Sequence, residues 1–470
     1  MSALLWLRRD FRVHDNPALF EAIKAGANKA VFISTPKQWR EHHLAPIQAD
    51  LIYRHLKLIK HQLLDFGMEL IHLKAQDYED QVESLKYYCH QHGCSTVYAN
   101  SEPELNEINR DKRLIDSGFH LKLFHADTIT PVGSLLNKQG DMFKVFTPFR
   151  KRWLSYVQQF GIECYPSPTI QNQIIACQNA NNDVDLQDEK WRFEYPQTDS
   201  THWPLSDYVM SQVVPDFLNA KIGVYKLYRD IPSVKGTSGL SPYLAIGAIS
   251  PRWLATKLIQ NNPHVIYDME HPDFTWLNEL IWRDFYKHLL FHYPNLAKGD
   301  CFQTRYKNLP WPNNPEHFKA WCEGKTGYPI VDAAMRQLIQ TGWMHNRLRM
   351  IVASFLTKHL MIDWRWGERF FMSHLIDGDF SANNGGWQWA ASTGCDAQPY
   401  FRIFNPITQS KKFDPNGNFL RKYLPELNDI PDKDIHFPHD YLELNPKCAS
   451  YWPPVVEHKH ARLRALDFYK

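Results

Sequence analysis

Five short apolar segments recur through the first 130 residues, and the stretches between them show helical spacing. The five are ALLWL, AVFIS, ELIHL, TVYAN and LKLFH, at 3–7, 30–34, 69–73, 96–100 and 121–125. Apolar residues recur three and four positions apart at 48–66 and 77–92, which is typical of amphipathic helices. Strands that alternate with helices predict a Rossmann-like α/β domain, in which helices cover both faces of a parallel sheet.

This predicted sheet carries no standard nucleotide motif. Ligands on such sheets usually bind outside the carboxyl ends of the strands. Neither a G-x-G-x-x-G sequence nor a P-loop sequence follows the first apolar segment, so a conventional dinucleotide site is not expected there.

The pattern changes after residue 130. From 131 to 204 the periodicity weakens, and QNQIIACQNANNDVDLQDE at 171–189 is polar and aperiodic, which predicts a long connection between domains. From 205 onward, long amphipathic segments such as 275–292 and 343–360 predict an all-α domain. We therefore expect an α/β domain at 1–130, a linker at 131–204 and a helical domain at 205–470.

Composition and charge narrow the class of protein. The formal net charge is +2, so affinity for DNA would require a local basic patch, and residues 325–360 offer one, with five cations and one acid. The 8 cysteines form no C-x-x-C pair, which favours reduced thiols and argues against a zinc site. The sequence has no long apolar stretch and no signal-peptide pattern, so we expect a soluble cytoplasmic monomer with no membrane partner.

A hydroxyl-rich turn at 236–244, GTSGLSPYL, precedes a predicted helix. Thr237, Ser238 and Ser241 place hydroxyls near the backbone N–H groups of a helix start, a combination that can bind phosphate. The same residue types cap ordinary helices, so both interpretations stay open at this point.

A second segment predicts a helix with an unusual polar face. Positions three and four apart share one face of a helix, so Glu279 lies between Trp276 and Trp282 with Arg283 and Tyr286 beside them. This set could line a cavity in which an indole stacks on a planar ligand. It could equally form an ordinary amphipathic helix with a local Glu279–Arg283 pair.

A third segment places four different side chains on one predicted helical face. They are Trp343, Asn346, Arg347 and Met350, at spacings of three, four and seven residues. A surface helix with a partly buried indole explains the same pattern as well as a ligand site does.

The segment IDGDFSANNGGWQW at 376–389 looks least like generic structure. Asp377 and Asp379 flank a glycine, and Asn383 and Asn384 precede a tryptophan pair. Buried Asp and Asn side chains need hydrogen-bond partners. Two close carboxylates could bind a metal, but no further ligands accompany them. We therefore expect no metal; the two carboxylates could equally accept hydrogen bonds from ribose hydroxyls or ring N–H groups.

Long blocks of this chain strongly resemble the DNA photolyase/cryptochrome family. They are TSGLSPYL, WLNELIWRDFY, EGKTGYPIVDAAMRQLIQTGWMHNRLRM and DGDFSANNGGWQWAASTGCDAQPYFRIFNP, together with the opening LLWLRRDFRVHDNPAL. The resemblance covers nearly the whole chain and is nearest to the bacterial class I, folate-type branch. It implies an α/β antenna domain, a long linker and an all-α domain that binds FAD, and light-driven repair of cyclobutane pyrimidine dimers.

The resemblance also implies site residues. The family's FAD contacts fall on Tyr225, Thr237, Ser238, Gly239, Leu240, Ser241, Trp276, Arg283, Asn346, Arg349, Asp377, Gly378, Asp379 and Asn383. Its lesion and DNA contacts fall on Arg229, Glu279, Trp282, Arg283, Asn346, Arg347, Met350 and Trp389. Its electron relay falls on Trp387, Trp364 and Trp311. In these roles Asn383 lies beside the flavin N5, Glu279 bonds the dimer carbonyl and Trp282 stacks on thymine.

An antenna and a location follow from the same resemblance. The family's contacts with 5,10-methenyltetrahydrofolate fall on His42, Asn106, Glu107 and Lys298, while Ala297 stands where a close relative has cysteine. The implied partner is ultraviolet-damaged DNA. The implied location is the bacterial cytoplasm, with association to the nucleoid when the protein is bound to DNA.

Three alternative functions use similar residues. A cryptochrome-type blue-light receptor shares the scaffold, but plant-type cryptochromes depart from Trp282 and Asn383. An enzyme for the six-four photoproduct would carry paired histidines where this chain has His345 and Asn346. An ordinary flavin redox enzyme is disfavoured because nothing in the sequence resembles a nicotinamide site.

Overall fold

The computed structural model describes residues 2–168, 191–446 and 450–470. The strands in these ranges are β1 Ser2–Leu7, β2 Lys29–Ser34, β3 Glu69–Lys74, β4 Cys94–Asn100 and β5 His120–Phe124. They form one sheet in the order β3-β2-β1-β4-β5, and every neighbouring pair is parallel. The predicted strands and their parallel pairing are confirmed. The polar segment at 171–189, predicted to be a linker, lies outside the described residues.

Every named element after β5 in the described ranges is helical. Helices in and just after the sheet region are α1 Pro17–Lys24, α2 Pro36–Glu41, α3 Pro46–Leu64, α4 Tyr78–His92, α5 Leu105–Asp116 and α6 Phe146–Phe160. The next three helices are short and alternate with π-helical turns at Val209–Val213 and Phe217–Lys221. They are α7 Ser206–Tyr208, α8 Val214–Asp216 and α9 Ile222–Tyr228. The predicted all-α character of the C-terminal region is confirmed.

The remaining helices follow in chain order. They are α10 Ser241–Ala245, α11 Pro251–Asn261, α12 Phe274–His292, α13 Pro315–Cys322, α14 Pro329–Thr341, α15 Asn346–Ser354, α16 Trp364–Met372, α17 Phe380–Ala390, α18 Pro406–Phe413, α19 Asn418–Tyr423, α20 His439–Leu444 and α21 His458–Phe468. A π-helical turn at Phe355–His359 follows α15, and 3₁₀ turns lie at Pro263–Ile266, Pro294–Lys298, Thr304–Tyr306 and Pro425–Leu427. None of the described helices combines the length and apolarity that a membrane span requires.

Capping residues explain where two of the predicted helices begin or end. Asp77 precedes α4 and accepts hydrogen bonds from the N–H groups of Glu79 and Asp80, which satisfies donors that a helix start leaves unpaired. Gly342 ends α14 with φ of 67°, a conformation that glycine adopts without steric cost. A glycine directly after an amphipathic segment is typical of a helix end, and Gly342 ends α14 in this way.

The chain divides into two compact units. One comprises Met1–Ala220 and Ser238–Ala297, and the other comprises Lys221–Thr237 and Lys298–Lys470. In the first unit, apolar residues of β1, β2 and β4, among them Leu4, Trp6, Val31 and Val97, form a buried cluster with α4. This division assigns α10 to α12 to the unit that contains the sheet. The predicted boundaries at 130 and 204 stay a prediction.

The strand order reverses between β1 and β4, and charged side chains fill the space beyond these two carboxyl ends. Such a reversal is where ligands usually bind to doubly wound sheets. A small cleft there is lined by Arg8, Arg9, Asp10, Arg12, Asn100, Ser101, Glu102, Ala126 and Asp127. Asn100 donates to Asp10 at 2.6 Å, and Arg8 donates to Asp111 at 2.6 Å. The groups at this edge of the sheet therefore pair with one another.

Candidate functional site

Helix α12 carries the predicted polar face within the first unit. Trp276 is only 4% exposed, and its ring packs against Phe217 with centroids 5.3 Å apart. Glu279 and Trp282 are half-buried. An acid and an indole thus lie partly accessible on a helix whose other face is core, as the sequence pattern predicts.

The indole of Trp282 lies on an aromatic platform that sequence spacing does not reveal. Phe146, the first residue of α6, stacks on it with centroids 3.5 Å apart and planes inclined by 5°. Tyr286 lies in an offset stack at 5.6 Å. Phe146 therefore covers one face of the Trp282 ring and fixes its orientation.

Arg283 is held by groups outside its own helix. Its Nη2 donates to Asp127 Oδ1 at 2.5 Å, and its Nη1 donates to the backbone oxygen of the same residue. The Nη2 group also lies 3.4 Å from the carbonyl oxygen of Leu244. The guanidinium thus joins α12 to the loop after β5 and to α10.

The hydroxyl-rich turn is not an ordinary helix cap. Helix α10 begins at Ser241, its N-cap residue is Leu240, and no side chain makes the capping hydrogen bond. Gly239 has φ of +67° with open space beside its Cα, as a tight turn requires. The hydroxyls of Thr237, Ser238 and Ser241 therefore do not serve as the cap, which removes the ordinary-cap interpretation.

In the second unit, Asp377 and Asp379 are buried and have separate partners. Arg349 Nη2 donates to both Asp377 oxygens, at 2.8 and 3.0 Å, and Arg349 Nε donates to the carbonyl oxygen of Met344 at 2.8 Å. Asp379 is the N-cap of α17 and accepts from the N–H of Ala382 at 3.0 Å. Gly378 lies between these two acids. Their hydrogen-bond partners are those that buried carboxylates require.

Asn383 is fixed by a polar ladder between α16 and α17. Its Nδ2 donates to the backbone oxygen of Glu368 at 3.0 Å, and the next residue, Asn384, donates to Glu368 Oε1 at 2.7 Å. Gln388 donates to Asn384 Oδ1 at 2.9 Å. Burial raises the pKa of Glu368 to about 7, although the bond from Asn384 opposes the shift. The ladder sets the direction of the Asn383 amide.

A glycine allows α16 and α17 to approach closely beside this ladder. A Cβ at Gly367 would lie 2.1 Å from Cη2 of Trp387. The Trp387 ring therefore occupies the space that a side chain at 367 would take.

Helix α15 begins later than the sequence pattern predicts. It starts at Asn346, and its N-cap, His345, accepts from the N–H of Arg347. Burial lowers the pKa of His345 to about 4, so its ring is neutral and can accept. Trp343 precedes this cap, so the prediction that it shares a helical face with Asn346 and Met350 is wrong. Asn346 is exposed and Met350 is half-buried.

The predicted basic patch at 325–360 does not exist as a surface. Lys358 is fully buried, with Nζ 2.9 Å from Ser392 Oγ and 3.4 Å from the Tyr469 ring centroid. The other four cations pair with acids, as Lys325–Glu323, Arg336–Glu426, Arg347–Asp230 and Arg349–Asp377. The prediction is wrong because one of the five cations is buried and acids neutralise the other four.

The relay tryptophans of the resemblance belong to one hydrophobic cluster of the second unit. Trp364 and Trp387 are 0% and 2% exposed, and Trp311 packs against the same cluster with partial exposure. Trp311 contacts the rings of Phe468 and Tyr469, with centroids 5.0 and 6.0 Å away. The three indoles thus differ in exposure, with Trp311 the outermost.

Three of the four antenna residues meet in the first unit. Asn106 Nδ2 lies 3.0 Å from His42 Nε2, and Tyr78 donates to Glu107 at 2.7 Å. The His42 and Tyr78 rings meet edge to face at 5.9 Å. Burial raises the pKa of Tyr78 well above its ordinary value, and Glu107 adds to the shift. Tyr78 thus belongs to the cluster around His42 and Glu107, although the sequence did not predict it as a site residue.

The remaining residues of the resemblance lie in the second unit. Arg229 lies over the Tyr225 ring at 5.3 Å, and Tyr225 is buried. Trp389 is partly buried against the hydrophobic cluster of that unit. Lys298 ends a 3₁₀ turn and is exposed. Across the described ranges, no three His, Cys, Asp or Glu side chains converge as metal ligands.

Comparison with known proteins finds relatives along the whole chain. Residues 3–169 match a family model described as DNA photolyase, and residues 276–470 match one described as the FAD binding domain of DNA photolyase. A deoxyribodipyrimidine photo-lyase from Vibrio cholerae is 46% identical over 476 residues, which cover 99% of this chain and 99% of that protein.

Two solved structures have the same fold. A bacterial class III photolyase from Agrobacterium tumefaciens superposes with a TM-score of 0.76 at 31% identity, over 100% of this chain and 97% of that one. A cryptochrome from a Synechocystis species superposes with a TM-score of 0.82 at 27% identity, over 99% of each chain. The sequence is thus nearer to the Vibrio cholerae photo-lyase than to this cryptochrome.

Proposed function

Since this chain belongs to the DNA photolyase family, we propose that it repairs cis-syn cyclobutane pyrimidine dimers in DNA with light, as a carbon–carbon lyase that uses FAD. The observation that carries the proposal is the 46% identity over 99% of both chains with a deoxyribodipyrimidine photo-lyase. The side chains on α12 and α17 are consistent with that chemistry. A blue-light receptor of the cryptochrome type is the alternative, supported by the shared fold.

The polar groups of the chain fit a flavin nucleotide. The hydroxyls of Thr237, Ser238 and Ser241, which do not cap α10, suit a diphosphate. Asn383 presents a fixed amide that suits the polar edge of a flavin ring. Reduced FAD, when bound and excited by light, supplies one electron to the dimer and receives it back after the ring opens.

Glu279 and Trp282 are the groups that we propose to contact the lesion. A dimer inside a duplex is out of reach, so it must be extruded, at a cost of a few kcal/mol that is least for a damaged step. Trp282 offers a face for stacking because Phe146 holds its other face. Glu279, in its protonated form, would donate a hydrogen bond to a dimer carbonyl and stabilise the negative charge that develops there.

Cations of the second unit would supply DNA affinity without sequence preference. Phosphate contacts by Arg and Lys give binding that weakens as salt rises. We propose Arg229, Arg347 and Asn346 for contacts with the DNA and Met350 and Trp389 for contacts around the lesion. Because Arg347 is paired with Asp230, it would reach a phosphate from a fixed position.

The tryptophan cluster of the second unit and the cluster around His42 in the first unit support two further roles. We propose Trp387, Trp364 and Trp311 as a route for electrons from the surface to the flavin, since Trp387 and Trp364 are buried in one cluster and Trp311 packs against that cluster with partial exposure. We propose that His42, Asn106 and Glu107, with Lys298, bind a methenyltetrahydrofolate antenna, since an acid, an amide and an imidazole suit a pterin edge. We also propose a cytoplasmic monomer.

One assay separates the repair enzyme from the receptor. The purified holoprotein is mixed with ultraviolet-irradiated oligothymidylate and illuminated, and thymine monomers are measured against a dark sample. Light-dependent recovery of monomers is expected. Binding of damaged DNA without recovery in reduced, FAD-loaded protein would overturn the proposal and favour the receptor.

A further inference from the structure

Asp127 lies between two cations of helix α12. Its Oδ1 accepts from Arg283 Nη2 at 2.5 Å, and its Oδ2 lies 3.1 Å from Lys287 Nζ. The two cations are four residues apart, so they share one face of the helix, where like charges repel. The Asp127 carboxylate thus lies between the positive charges of Arg283 and Lys287, which would otherwise repel each other.

The second of these cations is deeply buried and paired twice. The Lys287 side chain is 1% exposed, and its Nζ lies 2.9 Å from Glu104 Oε1. Glu104 in turn pairs with Arg9 at 2.6 Å. A buried charge without a partner is strongly destabilising, so Lys287 must keep its acidic partners close. Its ion pairs with Glu104 and Asp127 therefore hold Asp127 in place.

The backbone at Asp127 is also fixed. Its carbonyl oxygen accepts from Arg283 Nη1. Two residues later, the N–H of Ile129 donates to Asp284 at 3.1 Å, and Asp284 also accepts from Trp153 Nε1 at 2.9 Å. The loop after β5 is therefore bonded to α12 at both Arg283 and Asp284.

We infer that Asp127 is a positioning residue for Arg283, an inference that rests on the proposed function. A guanidinium presents its donors in a rigid fork, and Asp127 accepts from both ends of that fork. This orientation fixes the positive charge one helical turn from Glu279, which is proposed to contact the lesion. Loss of the Asp127 carboxylate would remove the ion pair at Nη2 and keep only the Nη1 bond to the backbone oxygen of residue 127. The guanidinium would then face Lys287 without a negative charge between them.

A double-mutant cycle tests this inference. Asp127→Ala, Arg283→Ala and the double variant are prepared as FAD-loaded protein, and dissociation constants are measured for duplexes with and without a thymine dimer. We expect each single change to reduce the preference for dimer-containing DNA about tenfold, and the double change to be no worse than Arg283→Ala alone. Asp127→Glu, which keeps the carboxylate, should restore most of the preference.

Two controls separate positioning from general damage. Asp116→Ala removes an exposed carboxylate of the same unit and should leave both dissociation constants unchanged. If Asp127→Ala does not fold, Asp127→Asn keeps the shape and one acceptor oxygen, and the cycle is run with it. A merely structural role would lower affinity for both duplexes together, and additive effects in the cycle would overturn the inference.

The proposed function and this inference fail in different ways. If wild-type protein binds dimer-containing DNA but restores no monomers in light, the repair function is overturned, while the cycle on affinity still decides the role of Asp127. If the wild type repairs dimers and the cycle is additive, only the inference is overturned. If the wild type shows no preference for dimers, both are overturned.

Discussion

Phe146 and Trp282 lie face to face, with ring centroids 3.5 Å apart and planes inclined by 5°. Phe146 begins α6 and Trp282 lies in the middle of α12. The stack holds an indole that would otherwise rotate about two side-chain torsions. A base can therefore use only the face of Trp282 that points away from Phe146.

Phe146→Ala should weaken binding of dimer-containing DNA about three- to tenfold, because an aromatic pair contributes about 0.5–1.5 kcal/mol beyond its buried area. Affinity for undamaged DNA should stay the same. Titration of labelled duplexes measures both. Phe160→Ala is the matched control, since Phe160 is on the same helix and 62% exposed. Equal dimer affinity in Phe146→Ala and wild type would contradict the platform role.

Glu279→Gln should keep DNA affinity within about twofold and lower repair per absorbed photon by a factor of about three to ten. The amide still donates a hydrogen bond, but it is a weaker donor than a carboxylic acid and stabilises the developing negative charge less. Single-turnover repair at saturating substrate is the measurement. Glu270→Gln, at an exposed site just before α12, is the control. An unchanged photon yield would remove the proposed role of Glu279.

The strands and most helices could be predicted because their signals are local. Five apolar segments gave five strands, and Gly342 gave a helix end. The start of α15 was missed because a side-chain cap at His345, rather than apolar periodicity, ends the preceding loop. In the same way, the side chain of Asp379 caps α17, and the part of 376–389 from Phe380 onward is helical.

Contacts between distant residues had no local signal. Asp127 and Arg283 are 156 positions apart, and nothing near Asp127 in the sequence distinguishes it from other loop acids. Likewise, no local sequence signal predicts that Phe146 stacks on Trp282 or that Tyr78 donates a hydrogen bond to Glu107. The five cations at 325–360 failed as a patch for a related reason, since Lys358 is buried and Arg336, Arg347 and Arg349 pair with acids of other segments.

Glu107→Ala should lower repair per incident near-ultraviolet photon while leaving DNA affinity and repair under direct flavin excitation unchanged. The change removes the carboxylate proposed to bind the antenna. Tyr78→Phe should give a smaller loss, since it removes only the 2.7 Å hydrogen bond that orients Glu107. Action spectra of repair measure both effects. Identical spectra for wild type and Glu107→Ala would place the antenna elsewhere.

Glu368→Gln should stabilise the protein at pH 8 but not at pH 5. Burial raises the pKa of Glu368 from 4.5 to about 7, so the native state favours the protonated form, and stability is lost as pH rises from about 4.5 to about 7. The amide avoids this loss, which is on the order of 3 kcal/mol. Urea unfolding at both pH values measures it. The exposed Glu316→Gln is the control, and an equal gain at both pH values would contradict the assignment.

Gly367→Ala should destabilise the protein by about 1–3 kcal/mol, because the new methyl group would overlap the Trp387 ring and force α16 and α17 apart. Gly386→Ala on α17 is the matched control, since a Cβ there has open space, and it should be neutral or slightly stabilising. The midpoint of urea unfolding distinguishes them. Equal midpoints for the two variants would show that Trp387 can move aside without cost.

The ion pair between Glu104 and Lys287 spans 183 positions of the chain, which has a consequence for synthesis on the ribosome. At roughly 5–20 residues per second, the polypeptide needs roughly 10–40 s to extend from one partner to the other. During that time Glu104 can pair with Arg9 but not with Lys287, which has not yet been synthesised. We expect the sheet to complete its native packing only after helix α12 has left the exit tunnel.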